Sequence, residues 1–222
     1  MKNIKAFLFD LNGTMINDMQ YHINAWRTIL NELGANLSYD QAKSECYGKN
    51  NELLERIFPG RFSEEDKIRM SIEKEKKYQQ DFRPHLKLID GLDGLLAKAR
   101  ENDIKMAIGS AAIMFNIDFV LDNLNIRNYF DALVSADDVS HSKPHPETFL
   151  KCAERLGVEP GDSIVFEDAP KGVESALNGG MQCIVLTILH EPHEFFQYPN
   201  VAGFVKDYND SFFNDFFELT AK

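Results

Sequence analysis

Apolar residues along this chain fall either into short continuous runs or into sets with helical spacing. Residues 4–9 form an apolar run that includes aromatic and β-branched side chains and ends at Asp10. A short run of this kind, bounded by polar residues, is typical of a buried strand. From Met19 to Leu33 the apolar residues recur at intervals of three and four, which predicts a helix that Gly34 ends.

A second helix is predicted from Ser63 to about residue 80. Ser63 is followed by Glu-Glu-Asp, so the sequence supplies an N-cap and an acidic first turn. Lys and Glu are dense in the rest of this segment, which predicts that one face of the helix is solvated. Residues 15–85 therefore read as helices and loops.

After Pro84 the pattern changes to alternating strands and helices. Strands are predicted at 104–108, 132–135, 163–166 and 182–186, with a short one at 203–205, and helices at 92–100, 114–125, 146–156 and 170–178. This alternation predicts a parallel sheet with helices on both faces. The expected fold is α/β, a Rossmann-like doubly wound parallel sheet formed by residues 1–14 and 86–222, with an inserted all-helical cap at 15–85.

Composition and charge narrow the possible functions. The chain has 222 residues, 44% of them apolar, which suits a core domain with a smaller insertion. A net charge of −11 argues against nucleic acid and anionic membranes as partners. The apolar runs are too short for a bilayer span or a signal peptide, and the three cysteines show no ligand spacing. We therefore expect a cytoplasmic protein with reduced thiols, and a monomer.

Polar residues of chemical interest follow the predicted strands. Asp10 follows the first strand, Ser110 the second, and Glu167 with Asp168 a later one, while Lys143 lies in a loop before a predicted helix. In open parallel sheets, ligands bind beyond the carboxyl ends of the strands. We therefore expect these side chains to converge at the carboxyl edge of the sheet, which we call the rim. Taken singly, each residue also has an ordinary interpretation as a cap, turn or solvated loop residue.

Three converging carboxylates repel one another unless a cation neutralises them. Oxygen ligands of this kind suit Mg²⁺, which commonly bridges carboxylates to a substrate phosphate. Lys143 adds a fixed positive charge, while the Ser110 hydroxyl and the backbone amides of Gly13 and Thr14 are suited to phosphoryl oxygens. Aspartate is a competent nucleophile for phosphoryl transfer through an aspartyl-phosphate, so Asp10 is the candidate nucleophile.

The order of four motifs makes the sequence similar to a known family. It resembles the haloacid dehalogenase-like superfamily and, within it, the β-phosphoglucomutase-like branch, over nearly the whole chain. The motifs are FDLNGT (9–14), IGS (108–110), SKP (142–144) and FEDAPKGVESA (166–176). The helical insertion matches the position and length of the family's cap, and MQYHINAW (19–26) is similar to the start of that cap.

The resemblance implies a role for each residue of the rim. Asp10 would be the nucleophile. Mg²⁺ would be held by Asp10, by the main-chain carbonyl of Asn12, and by Glu167 and Asp168. The transferring phosphoryl group would be bound by two catalytic residues, Ser110 and Lys143.

The resemblance also implies a set of substrate-binding residues. Two of them, His22 and Trp26, lie on the first cap helix, and Lys49 lies on a cap loop. The others follow the first two motifs of the core: Gly13, Thr14 and Ala111. For His22 the alternative, a helix-face histidine satisfied by a neighbour, stays open. The ligand would be a small phosphorylated metabolite.

The first departure from the family pattern is Asn12. The family places there an aspartate that protonates the leaving group and then activates water. An amide does not ionise and cannot serve as a general acid or base. The expectation is a folded, metal-binding protein with slow turnover, unless another group, for which His22 is the candidate, replaces the acid. The Asn12-Gly13 pair is also prone to deamidation.

The second departure concerns specificity. Sugar-phosphate mutases of this branch hold the second phosphate with polar groups after the serine of the second motif and with an arginine on the cap. Here Ala111 and three further apolar residues follow Ser110, and Asn51 stands where the arginine is expected. Lys49 could compensate only as a point charge. A phosphatase acting on a small phosphate ester, a sugar phosphate or pyrophosphate therefore fits better than a mutase.

Two other functions compete with a magnesium-dependent phosphatase. One is a non-catalytic protein that captures a phosphorylated ligand, because Asn12 would prevent its release by hydrolysis. The other is a metal-free dehalogenase, since that branch also lacks the second aspartate. The pair Glu167-Asp168 argues against the dehalogenase, because these carboxylates would repel each other without a cation.

Overall fold

The chain forms two separately compact units. In the computed structural model, residues 4–214 and 217 are described. One unit comprises Met1–Asn17 with Lys87–Lys222, and the other Asp18–Leu86. No helix among the described residues combines the length and the apolar character that a bilayer crossing requires.

The first unit is built on a sheet of six parallel strands. They are β1 Ala6–Phe9, β2 Lys105–Gly109, β3 Ala132–Val134, β4 Ser163–Glu167, β5 Gln182–Leu186 and β6 Val201–Val205. Their order across the sheet is β3-β2-β1-β4-β5-β6. The strand order therefore reverses between β1 and β4, which is the place where ligands bind in doubly wound folds.

The described residues include eight α-helices. Those of the second unit are α1 Met19–Glu32, α2 Tyr39–Glu45, α3 Asn50–Ile57 and α4 Glu64–Phe82. Those of the first unit are α5 Leu92–Glu101, α6 Met114–Leu124, α7 Glu147–Leu156 and α8 Pro170–Asn178. The predicted fold class, a doubly wound parallel sheet with an all-helical insertion, is confirmed.

Both faces of the central strands are buried, which explains why these strands read as continuous apolar runs. On one face, Leu8 and Val165 pack with Phe149 and Cys152 of α7 in a single apolar cluster. On the other face, aromatic rings dominate: the rings of Phe9 and Phe166 stack with centroids 4.6 Å apart. Stacked rings on neighbouring strands help to fix the register of β1 against β4.

The second unit contains an apolar cluster of its own. Trp26 and Leu30 of α1 pack with Leu53 and Leu54 of α3. Ser38 forms a capping box with Gln41 at the start of α2. The helices at 19–33 and 63–80 were predicted, whereas α2 and α3 are short and were not predicted individually.

The buried face of α4 is unusually polar. The buried residues of this helix recur every three or four positions: Lys67, Ser71, Lys74, Glu75, Tyr78 and Phe82. Helical spacing therefore marks the inward face, but charged groups occupy much of it. The Lys and Glu content of this segment predicted a solvated face, and sequence reasoning did not anticipate that Lys74 and Glu75 are buried.

The cysteines provide a test of the packed core. Cys152 and Cys183 are fully buried, and burial raises the pKa of the Cys152 thiol to about 12. Because the thiolate is the reactive form, we expect both residues to resist alkylation at pH 8 in the native protein. Peptide mapping after a timed reaction with iodoacetamide checks this, with the guanidinium-unfolded protein as the fully reactive control. Equal labelling of both thiols in the two states would contradict the described core.

Candidate active site

Lys143 joins two acidic residues at the carboxyl edge of the sheet. Its Nζ donates to Asp10 Oδ1 and to Glu167 Oε1, each at 2.7 Å. All three side chains are largely excluded from solvent. Burial disfavours the charged form of Lys143, but the charges and hydrogen bonds of Asp10 and Glu167 outweigh it, and the pKa of the ammonium group lies above its usual value. Lys143 is therefore a permanently charged link between two strand ends.

Strand register explains why the two acidic residues lie together. Phe9 pairs with Phe166, so Asp10 and Glu167 follow at the same level of the sheet. The backbone N–H of Asp10 continues this ladder by donating to Phe166 O at 2.9 Å. Glu167 Oε2 accepts the backbone N–H groups of Asp168 and Ala169, both at 2.9 Å. These bonds hold the Glu167 carboxylate in one orientation.

Two glycines make the close approach of the carboxylates possible. A Cβ added at Gly13, where φ is +76°, would lie 2.1 Å from Asp168 Oδ2. A Cβ added at Gly172, in the first turns of α8, would lie 1.7 Å from Glu167 Oε1. Any larger residue at either position would displace an acidic side chain.

Tyr208 holds the loop after β1 through a hydrogen bond. Tyr208 OH donates to the main-chain oxygen of Thr14 at 2.9 Å, and burial, with the charges of Asp10 and Asp168, raises the pKa of this phenol well above its usual value. Thr14 is fully buried, and its Oγ1 has no hydrogen-bond partner among the described residues. The bond from Tyr208 therefore fixes the backbone of the loop at Thr14.

Ser110 follows β2, the neighbour of β1 in the sheet. Its backbone N–H donates to Val134 O at 3.0 Å, and its Oγ accepts the backbone N–H of Ala112 at 3.1 Å. Since the oxygen already accepts a hydrogen bond, the hydroxyl proton is left to be donated. Ala111 lies between the two, partly exposed, and adds no polar side chain to this part of the rim.

The donor set of the rim fits a divalent metal ion. Asp10, Glu167 and Asp168 are each less than 10% exposed. Against the single ammonium group of Lys143, these three carboxylates, when ionised, leave an excess of two negative charges in a poorly solvated space. Oxygen donors with this charge are the ligands that Mg²⁺ prefers. Asn12, predicted to offer its main-chain carbonyl, lies in the turn after β1 next to Gly13.

In the second unit, His22 belongs to a buried polar network. Its Nδ1 lies 2.6 Å from Lys74 Nζ, and its Nε2 lies 3.3 Å from Asp18 Oδ2. Tyr78 stacks on the imidazole ring, with centroids 3.7 Å apart, and donates its hydroxyl proton to Asp18. Glu75 accepts from Lys74 Nζ at 2.9 Å. His22 therefore has neighbours within its own unit, and its role toward substrate stays a prediction.

Trp26 and Lys49 are the other predicted binding residues of the second unit. Trp26 is 3% exposed and packs in the apolar cluster, with Lys74 Nζ 5.5 Å from the ring centroid. Lys49 immediately precedes α3, where its backbone N–H donates to Glu52 at 2.9 Å. Their predicted contacts with substrate stay predictions.

Sequence reasoning missed several residues that shape these two sites. Gly172 and Tyr208 act in the core unit, and Lys74, Glu75 and Tyr78 surround His22 in the helical unit. For the last three, one signal was present: they continue the three-and-four spacing that marks the inward face of α4. For Tyr208, which is distant in sequence from the motifs, no such signal exists.

Comparison with known proteins identifies the family. The family model described as haloacid dehalogenase-like hydrolase matches residues 7–186. The fructose-1-phosphate phosphatase YqaB of Escherichia coli is 33% identical over 83% of this chain and 97% of its own. The crystal structure of β-phosphoglucomutase from Clostridium difficile has a TM-score of 0.85 at 30% identity and covers 97% of this chain, and 96% of that chain is covered.

The chain therefore belongs to the haloacid dehalogenase-like hydrolases, as the four motifs predicted. Its relatives also include β-phosphoglucomutase of Bacillus subtilis, 30% identical over 80% of this chain and 81% of that protein. Within the family, this protein is an enzyme of the phosphatase and phosphomutase group.

Replacement of Gly172 by alanine tests the packing of Glu167. The new Cβ would force the carboxylate away from Lys143 and break a buried ion pair, so we expect a loss of about 3 kcal/mol in the free energy of unfolding, measured in urea. Gly94 is the matched control, because it is also the third residue of a helix but has no atom within 4 Å of an added Cβ. Gly94→Ala should stabilise the protein by about 0.5–1 kcal/mol. Equal midpoints for the two variants would refute the described packing.

The Asn12-Gly13 pair should resist deamidation in the folded protein. Cyclisation requires the backbone nitrogen of Gly13, but this N–H donates to Ile16 O at 2.8 Å. We expect intact-mass and peptide analysis of aged native protein to find unmodified Asn12, and unfolded protein to deamidate faster. The same rate in both states would mean that this hydrogen bond does not protect the site.

Proposed function

We propose that this protein is a magnesium-dependent phosphatase of small phosphate esters, foremost sugar phosphates, that works through an aspartyl-phosphate on Asp10 and is slowed by Asn12. The observation that carries the proposal is the bridge from Lys143 Nζ to Asp10 Oδ1 and Glu167 Oε1. It joins a candidate nucleophile to a candidate metal ligand with a group that stays charged. The excess negative charge of the rim supports a divalent cation there.

Asp10 would attack phosphorus with one carboxylate oxygen while the hydrogen bond from Lys143 orients its side chain. The new bond joins that oxygen to phosphorus, and the bond from phosphorus to the ester oxygen of the substrate breaks. Ser110, whose hydroxyl proton is available, would donate to an oxygen of the transferring group. Asp10, Glu167, Asp168 and the main-chain carbonyl of Asn12 would hold Mg²⁺, which would neutralise charge at the phosphoryl oxygens.

Asn12 limits the two proton transfers of this reaction. The departing alcohol needs a proton, and the water that hydrolyses the aspartyl-phosphate must lose one. An amide side chain can neither donate the first proton nor accept the second. General acid–base help is typically worth about 10²–10⁴-fold in rate, so we infer a slow enzyme unless another group, such as His22, replaces it.

The names of relatives support a sugar or polyol phosphate as substrate. The relatives include a fructose-1-phosphate phosphatase and a hexitol phosphatase, both of Escherichia coli. A β-phosphoglucomutase is also among them. Ala111 after Ser110, and Asn51 on α3, provide no cationic group for a second phosphate, which favours hydrolysis of a monophosphate over mutase activity on a bisphosphate.

Two variants test the proposal. A panel of sugar phosphates, other phosphate esters and pyrophosphate is assayed with Mg²⁺, and phosphate release is measured. We expect Asn12→Asp to raise kcat by about 10²–10⁴-fold, because it restores a general acid and base, and Asp10→Asn to abolish turnover. Equal activity of Asp10→Asn and the unmodified protein would remove Asp10 as nucleophile.

The second candidate function is capture of a phosphorylated ligand without turnover. Asn12 is the specific observation that favours it, because an aspartyl-phosphate or a bound ester would persist without a base to activate water. In that case calorimetry finds Mg²⁺-dependent binding of a sugar phosphate, while phosphate release stays at the level of Asp10→Asn. Measurable turnover above that level decides for the phosphatase.

A further inference from the structure

A second group of potential metal ligands lies on the loop that carries Lys143 and at the start of α7, and it shares no residue with the group around Asp10. One ligand atom each from His141, His145 and Glu147 lies within 4.8 Å of the others. Both histidines are exposed, and Glu147 is half-buried. We propose that these three residues form a Zn²⁺-binding site, distinct from the carboxylates around Asp10 and independent of the function proposed above.

The backbone of the loop brings the two histidines together. The N–H of His145 donates to Ser142 O at 3.0 Å, which closes a turn between the two rings. The ring centroids of His141 and His145 lie 4.5 Å apart, and the ring planes meet at an angle of 30°. Ser175 Oγ of α8 donates to the main-chain oxygen of His145 at 2.9 Å and anchors this turn. Because the fold already orders the loop, metal binding would not have to do so.

The third ligand is oriented by main-chain groups. Glu147 Oε1 accepts the N–H of Ser140 at 3.0 Å, and Oε2 accepts the N–H of His141 at 2.9 Å. The His141 Nδ1 atom lies 3.1 Å from the same Oε2. Outer hydrogen bonds of this kind fix first-sphere ligands in known metal sites and contribute to their affinity.

The ligand types and spacing favour zinc over magnesium. Two imidazoles and one carboxylate suit Zn²⁺, whereas Mg²⁺ prefers oxygen donors alone. With metal–ligand bonds of about 2.0–2.1 Å, the ligands of a tetrahedral ion lie about 3.3 Å apart. The 3.1 Å separation of His141 Nδ1 from Glu147 Oε2 is already near this value. His145 Nδ1 accepts the backbone N–H of Glu147 at 3.3 Å, so this ring would offer its Nε2. Solvent exposure leaves the fourth position to water.

Lys151 is a cation that contacts this group. Its Nζ lies 3.3 Å from Glu147 Oε1, in an ordinary pair four residues apart on α7. Lys151 therefore pairs with Oε1 of Glu147, whereas His141 lies next to Oε2. Its charge lowers the affinity expected for Zn²⁺ but does not block the ligand oxygen.

The chain offers a matched control in another histidine–glutamate pair. His190 Nδ1 lies 3.0 Å from Glu194 Oε2, a separation almost equal to that of His141 and Glu147. Among the described residues this pair belongs to no group of three potential ligands. Loss of His190 should therefore leave the proposed site unchanged.

The test titrates Zn²⁺ into the full chain against a chromophoric zinc chelator. The protein is first freed of metals and then kept in excess Mg²⁺, so that the carboxylate rim is not the site measured. We expect one equivalent of Zn²⁺ to bind, and binding to weaken at least about tenfold in His141→Ala and in His145→Ala. These side chains are exposed, so the variants should fold, and circular dichroism checks that they do. His190→Ala and Asp168→Asn should bind as tightly as the unmodified protein.

Three results would overturn the proposal. The first is no Zn²⁺ uptake by the unmodified protein. The second is unchanged affinity in both folded histidine variants. The third is loss of binding in Asp168→Asn, which would assign the ion to the carboxylate rim. None of these outcomes bears on whether Asp10→Asn loses phosphatase activity, so the two proposals fail separately.

Discussion

The ion pairs of Lys143 with Asp10 and Glu167 are the interaction on which the rest of the site depends. They join residues 133 and 24 positions apart in the sequence. Buried charges are costly unless they are paired, and removal of one partner leaves the other uncompensated. The fold must therefore bring β1, β4 and the loop before α7 together, because each of the three buried charges needs its partners. The sheet order, which places β4 beside β1, is what makes this arrangement possible.

Close packing around these charges also requires glycine at two neighbouring positions. Gly13 and Gly172 leave the spaces that Asp168 and Glu167 occupy. The helical unit solves a similar problem differently. There Lys74, His22 and Glu75 are buried together and satisfy one another beside the Tyr78 ring. Each unit thus contains its own group of paired buried charges, a costly arrangement that functional sites commonly show.

Asn12 affects proton transfer but not the charges that would bind a ligand. The carboxylates, Lys143 and Ser110 need only charge and position, and each is present in the geometry described above. Proton transfer needs a group that changes its protonation state, which an amide cannot do. The family relationship explains why these side chains are present, and the amide of Asn12 is the reason for the slow turnover that we propose.

Local sequence patterns predicted the fold class, which the structure confirms, and the acidic residues at the carboxyl edge of the sheet. Apolar runs ending in polar residues located the strands and placed Asp10, Glu167 and Asp168 at strand ends, where parallel strands share a carboxyl edge. Lys143 was predicted in the loop before a helix. Which atoms meet depends on how distant segments pack together. The Lys143 bridge, the support from Tyr208 and the burial of Lys74 depend on long-range packing, which local periodicity does not encode. Charged residues on α4 were interpreted as solvated because most charged helix faces are, and only their paired partners make burial possible.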